Sequence, residues 1–305
     1  QVLAVADSLG AGAMEDDAPE CTTKPVQEEC ATRPVQEDYE TSSHVHLLSY
    51  AFNQDASCFA CGTTAGFRVY RTTPVTELRR RERLPVFKDR SVAIAAMLMR
   101  TNLYAMVTLG RGPLAHEKAN KVQIWDEKQG RFIAEIRSKY EVKGVAMRGD
   151  IVVMVCEGYV RVYTCDKLQP VLYIETAANP RGLCALAPAS KPWILCCPGA
   201  TTGTVHVQVG LEESKSFSAH EKGVAAMTIS ESGALLATAS EFGTVAKVWR
   251  CADAVLLYRL RLGKPSIGGE VVCCIAFNPA EDVVAVASAS SPMVHLFRLE
   301  RGAEA

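Results

Sequence analysis

Little in this sequence leans one way. Across 305 residues, 33 lysines and arginines face 34 aspartates and glutamates, a formal net charge of −1. No bulk attraction therefore draws the chain to nucleic acid or to an anionic membrane, and any anion binding has to come from a local cluster. Long hydrophobic runs are also missing. Runs such as Ile151 to Cys156 (IVVMVC) fall far short of the roughly 20 residues that span a bilayer, and the chain reads as soluble. The opening QVLAVADSLGAGAMEDD has no basic flank before its apolar stretch, which argues against a secretory leader. It starts on Gln1 rather than Met, which reads as a fragment or an incomplete gene sequence.

Catalytic signatures are absent as well. There is no GxSxG or phosphate-binding loop, and His44, His46, His116, His206, His220 and His295 lie near no nucleophile motif. No enzyme activity and no cofactor are expected. Cysteine is present, 12 residues in all, but scattered rather than spaced as a disulfide framework. The adjacent pairs Cys196-Cys197 and Cys273-Cys274 sit inside apolar runs and read as small buried hydrophobes of a reducing cytosol. Cys58-Phe59-Ala60-Cys61 has metal-ligand spacing, yet no second CxxC or HxxxH follows to complete a tetrahedral site. It reads as a core strand, and no metal is expected.

What is present divides into two textures. Residues 1–44 carry nine acidic side chains between Glu15 and Glu40 against Lys24 and Arg33, with few large apolar groups and a short duplication, TKPVQEE and TRPVQED. Such a segment cannot bury enough surface to offset its ordering entropy and reads as a disordered acidic tail. From residue 45 onward, short β-branched, aromatic and apolar runs alternate with polar or glycine-containing turns: KVQIWD at Lys121, YVRVY at Tyr159, TVHVQV at Thr204, AKVWR at Ala246. No 3.6-residue periodicity is sustained, so the class is all-β. The runs recur every 30 to 50 residues or so and include a Trp-Asp pair at Trp125-Asp126, a period that resembles WD-repeat β-propellers built of four-stranded blades. About six such units fit. A sandwich or a β-solenoid is the structural alternative. The division is a tail over 1–44, a propeller over 45–299 and a C-terminal tail over 300–305.

Five segments narrow this from fold to family: YAFNQDASCFACGTTAGFRVY from Tyr50, NKVQIWD from Asn120, NPRGLCALAP from Asn179, SAHEKGVAAM from Ser218 and ATASEFGTVAKVW from Ala237. Together they resemble the PROPPIN family, the autophagy-related β-propellers that bind polyphosphoinositides. The resemblance implies a seven-bladed propeller type of which about six blades fall in this chain. It implies a Phe/Leu-Arg-Arg-Gly motif as well, whose two arginines each serve one of two neighbouring rim pockets for phosphatidylinositol 3-phosphate or 3,5-bisphosphate. The motif falls on Leu260-Arg261-Leu262-Gly263. Its first arginine is Arg261, and its second position is Leu262.

For the first pocket the resemblance implies His220, Ser240, Thr244, Lys247 and Arg261. The chemistry suits a phosphomonoester, because a guanidinium fork engages two oxygens while hydroxyls and an imidazole satisfy the rest. His220 could equally be the structural histidine that WD repeats carry before a glycine. For a weaker second pocket the family positions leave Lys264, Ser288, Ser290 and His295, with Met293 where a threonine is usual. The run Leu78-Arg79-Arg80-Arg81-Glu82-Arg83 reads as a solvated interblade loop. The implied function is a phosphoinositide-binding scaffold of autophagosome formation, recruited from the cytosol to phagophore, endosomal or vacuolar membranes. Its expected partners are 3-phosphorylated phosphoinositides and autophagy proteins, including the lipid-transfer protein of phagophore growth, and no nucleic acid. The alternative is a protein-interaction propeller that has lost most lipid binding, which Leu262 and Met293 favour.

Overall fold

The short apolar runs form antiparallel strands that pair in strict chain order. The computed structural model describes residues 45–241, 244–262, 272–289 and 293–300. The first sheet is β1 (Leu47–Phe52), β2 (Cys58–Thr63), β3 (Gly66–Thr72) and β4 (Val75–Glu82); the second is β5 (Arg90–Met97), β6 (Leu103–Gly110), β7 (Lys121–Asp126) and β8 (Arg131–Arg137). The third is β9 (Val142–Met147), β10 (Ile151–Cys156), β11 (Tyr159–Thr164) and β12 (Pro170–Glu175); the fourth is β13 (Ala185–Leu186), β14 (Ile194–Pro198), β15 (Thr204–Val209) and β16 (Glu213–Ser218). The fifth is β17 (Val224–Ile229), β18 (Leu235–Ser240), β19 (Val245–Arg250) and β20 (Leu256–Arg261), and the sixth has β21 (Val272–Phe277), β22 (Val283–Ser288) and β23 (Val294–Arg298). The first strands of successive sheets, β1, β5, β9, β13, β17 and β21, touch one another in that order. This is a six-bladed propeller arrangement, as the repeat predicts.

A meander of this kind has two faces per blade, so its core lies in seams between blades. Phe67, Phe87, Tyr104 and Trp125 fill the seam between the first two sheets, Val107 and Ile124 meet Val152 and Met154 in the next, and Val205 and Val207 meet Leu236 and Trp249 between the fourth and fifth. Burying each such side chain contributes about 1.5–3 kcal/mol. Asp126 of the Trp-Asp pair is fully buried and accepts from the Lys128 backbone, Asn102 and Gln129, so it holds the β7–β8 turn. Cys58 and Cys61 lie buried in β2, as a core strand requires.

Two readings need correction. Leu78 to Glu82 lies in the outer strand β4, not in a loop. Its arginines are committed to carboxylates: Arg79 and Arg81 to Glu127 of the second sheet, Arg80 to Glu77. Cys196 and Cys197 are buried as expected, but Cys273 and Cys274 are both exposed. A β-bulge between Val272 and Cys274 breaks the alternation of β21 at this pair, and among the described residues no further sheet packs on the face that carries Cys274. The same face shows Val294 at 60% and Leu296 at 70% exposure. At the other end of the array, Leu48, Tyr50 and Phe52 of β1 are likewise exposed. The acidic tail over 1–44 and most of the C-terminal tail lie outside the described residues.

Candidate functional site

The fifth sheet sorts its side chains by strand alternation. Ala237, Ala239, Ala246, Val248, Leu260 and Leu262 point into the seam against Val272, Ile275, Val284 and Val286 of the sixth sheet. The opposite face is set by register. Lys247 stands directly across from Thr238 on β18 and from Arg259 on β20. One row further along the strands, Arg261 stands across from Val245, beside Ser240 at the end of β18. Arg259 and Arg261 are both exposed, whereas the leucines between and after them are buried. The sequence LYRLRL therefore writes out a two-faced edge strand: arginines on one side, seam on the other.

His220 is brought to this face by the loop after β16. Its backbone N–H and that of Ala219 both donate to the Gly203 carbonyl, at 2.9 and 3.0 Å. Gly203 sits at φ +80°, and a Cβ there would lie 2.1 Å from the His220 carbonyl oxygen. Only glycine lets the β14–β15 turn approach so closely. The imidazole is 7% exposed, and its Nε2 meets the Thr238 hydroxyl at 2.9 Å. Trp249 Nε1 donates to the same hydroxyl at 3.0 Å. Burial, then the nearby Lys247 ammonium, push the His220 pKa down to about 4 against a weaker opposing hydrogen bond to the Thr238 backbone, so the ring is neutral at physiological pH.

Lys247 is half-buried. Its Nζ donates to the Ala219 carbonyl and lies 5.5 Å from the centre of the Trp249 ring. Burial and then the Arg259 charge lower its pKa, and Glu221 opposes them. Thr244 is half-buried just before β19, and its carbonyl accepts from the Leu262 N–H at 3.0 Å, closing the ladder beside Arg261. Ser240 is half-buried as well. His220, Ser240, Lys247 and Arg261 thus share one face of a single sheet, and Thr244 stands at its edge, one residue before Val245 and bonded through its backbone to Leu262 rather than placed on that face by register. Thr238 and Arg259 belong to the same face. Arg259 shares its strand face with Arg261, as alternation along LYRLRL predicts; Thr238 was not anticipated, and its signal was spacing, two residues before Ser240. A cavity of about 230 Å³ nearby is lined by Asn179, Arg181, Thr204 and Glu241, and it takes in none of the candidate side chains.

The second group is arranged differently. Lys264 and Ser290 lie outside the described residues. Ser288 is buried opposite Val272, and His295 is half-buried opposite Val286 with its ring stacked on Phe297 at 6.3 Å. Leu262, at 6% exposure, is packed in the same seam between the fifth and sixth sheets. Met293 is exposed. Where a second arginine would offer donors, this chain offers apolar contact. Among the described residues no group of three or more His, Cys, Asp or Glu side chains is arranged to hold a metal ion, and no helix is long and apolar enough to cross a membrane.

Comparison with known proteins follows this geometry. A family model described as PROPPIN matches residues 46–305. Autophagy-related protein 18e of Arabidopsis thaliana is 33% identical over 261 residues, covering 85% of this chain and 68% of that protein. SVP1-like protein 2 of Neurospora crassa is 33% identical over 257 residues, 84% of this chain and 56% of its own length. Autophagy-related protein 18 of Emericella nidulans is 30% identical over 275 residues, 82% of this chain and 60% of its own. The chain thus spans 56–68% of the length of these curated relatives. Among solved structures, Kluyveromyces lactis Hsv2 superposes with a TM-score of 0.71 at 21% identity, over 84% of this chain and 75% of that one. A complex of KlAtg21 with the coiled coil of AgAtg16 gives 0.70 at 23% identity, over 84% and 82%. At these identities the structures speak for the fold.

Proposed function

Because the chain belongs to the PROPPIN family of autophagy-related β-propellers, we propose that it binds 3-phosphorylated inositol headgroups through the face of the fifth sheet that carries Arg261. The observation that carries this reading is the gathering of His220, Ser240, Lys247 and Arg261 on that face, drawn from β18, β19, β20 and the loop before β17, with Thr244 at its edge just before β19. In this reading Arg261 grips two phosphate oxygens with its fork, Lys247 supplies a point charge, and the Ser240 and Thr244 hydroxyls donate to the remaining oxygens. The Trp249 N–H donates to Thr238; with the Thr238 hydroxyl donating on to His220 Nε2, the imidazole is the Nδ1–H tautomer and presents one more donor.

Recruitment through one such site is weak and reversible, since each basic side chain near an anionic surface contributes about 1 kcal/mol. The buried Leu262 leaves the neighbouring seam without its counter-charge, so the first pocket carries the affinity of this chain. We place the protein on cytosolic faces of phagophore, endosomal or vacuolar membranes, where it acts as a non-catalytic scaffold for autophagy proteins, including the lipid-transfer protein of phagophore growth.

Flotation with phosphatidylcholine vesicles, with and without phosphatidylinositol 3-phosphate, tests the site. The parent should float only with the phosphorylated lipid, and Arg261→Ala should lose about tenfold in binding, the worth of one charge-assisted hydrogen bond. Equal flotation of parent and variant overturns the lipid reading. A second reading, a protein scaffold without lipid binding, is favoured by the apolar packing of Leu262. The solved complex of KlAtg21 with a coiled coil illustrates that a structural neighbour takes protein partners.

A further inference from the structure

The proposed site has a charge that its family motif does not account for. Lys247 and Arg259 are direct cross-strand partners on β19 and β20. Like charges placed opposite one another destabilise an antiparallel pair. Several other arginines on the sheets are matched to acids: Arg68 to Glu82, Arg81 to Glu127, Arg90 to Glu117, Arg250 to Asp253. Among the described residues no carboxylate forms an ion pair with Lys247, Arg259 or Arg261. Glu221, in the loop after His220, offsets part of the Lys247 charge, and His220 adds none because it is neutral. The face therefore holds Lys247, Arg259 and Arg261 with no carboxylate ion-paired to them among the described residues, in a chain whose formal charges otherwise nearly balance.

We propose that Arg259 is a headgroup contact, and that the Lys247–Arg259 pair holds a second phosphomonoester on the same inositol ring whose first phosphate is held by Arg261. The proposal rests on the lipid reading above. Arg259 and Arg261 point the same way from positions two apart on one strand, about 7 Å along it. That separation suits phosphates carried on two carbons of a six-membered ring. A monophosphorylated ring leaves the Lys247–Arg259 repulsion standing, whereas a bisphosphorylated ring removes it, so the pair discriminates by charge count. Arg259 lies exposed on the outer strand of its sheet, so replacing it removes a charge without opening the core.

The test compares parent, Arg259→Gln and Arg261→Ala on phosphatidylcholine vesicles carrying phosphatidylinositol 3-phosphate or phosphatidylinositol 3,5-bisphosphate at matched total charge. Parallel titrations with soluble inositol 1,3-bisphosphate and inositol 1,3,5-trisphosphate separate the headgroup from the membrane surface. The parent should favour the ligand with the extra ring phosphate, and Arg259→Gln should lose about tenfold on that ligand while changing by less than about twofold on the other. Without ligand, Arg259→Gln should unfold at slightly higher urea, because the repulsion is gone. If Arg259→Gln keeps the parent's preference, or weakens both ligands equally, the second-phosphate role is overturned and the Arg261 site stands. If the parent and Arg261→Ala bind every ligand equally poorly, the lipid reading itself falls.

Discussion

A buried imidazole that shares one hydroxyl with an indole must stay neutral, and that ties His220 to pH. Its pKa in the fold is lowered to about 4, whereas an unfolded histidine takes its proton near 6.5. Between those values the unfolded chain binds the extra proton, so the contribution of His220 to stability is complete above about pH 6.5 and is lost as the pH falls through about 4. The expected loss at the acid end is on the order of 3 kcal/mol. Urea midpoints of the parent and of His220→Gln, measured from pH 7 to pH 4, should converge as the pH falls; parallel curves would contradict the buried neutral ring. How much of the site was legible follows from the same residues. Arg261, Ser240 and Lys247 came from the family resemblance, and their common face follows from strand alternation. Thr238 escaped because its hydroxyl acts through His220 and Trp249, a relation that spans 18 residues in one direction and 11 in the other and that no local pattern announces.

At the scale of the element, β20 is where sequence and structure agree most closely. The order Arg259, Leu260, Arg261, Leu262 alternates as a half-buried edge strand should, and the two faces are as expected. What spacing could not give was the depth of Leu262: a leucine just past a strand end is as easily exposed as buried, and only the arrival of Val272, Val284 and Val286 from the next sheet decides it. Truncating it opens a void in that seam. Leu262→Ala should therefore lower the unfolding free energy by about 2–4 kcal/mol, read from chemical denaturation, while leaving any binding that depends on Arg261 intact. A change below about 1 kcal/mol would mean that the seam is not closed by this side chain. The basic run on β4 failed as a reading for a related reason. Its charges look like a solvated loop in isolation, but Glu127, 46 residues beyond Arg81, supplies their partner across the seam.

For the whole molecule, periodicity was the strongest signal. Runs of six or so residues separated by turns, repeated through the chain, dictated antiparallel meanders, and meanders with apolar residues on both faces dictate stacking side by side around an axis. At this scale the reading that failed concerns the sixth sheet. Cys273 and Cys274 resemble Cys196 and Cys197 in sequence, yet the latter pair has blades on both sides, whereas among the described residues the former has one only on the side of the fifth sheet.

That difference leaves two thiols in contact with solvent among the ten cysteines of the described residues, the other eight being buried or half-buried. With Cys21 and Cys30 replaced by serine, brief alkylation of the native protein followed by mass spectrometry should modify Cys273 and Cys274 first, and uniform modification of all ten would contradict the exposed face. The adjacent thiols then serve as a footprint. Any protein or further sheet that lies against the sixth sheet must slow their alkylation while leaving Arg261 open to its ligand, so one chemical reaction separates assembly at that face from binding at the fifth.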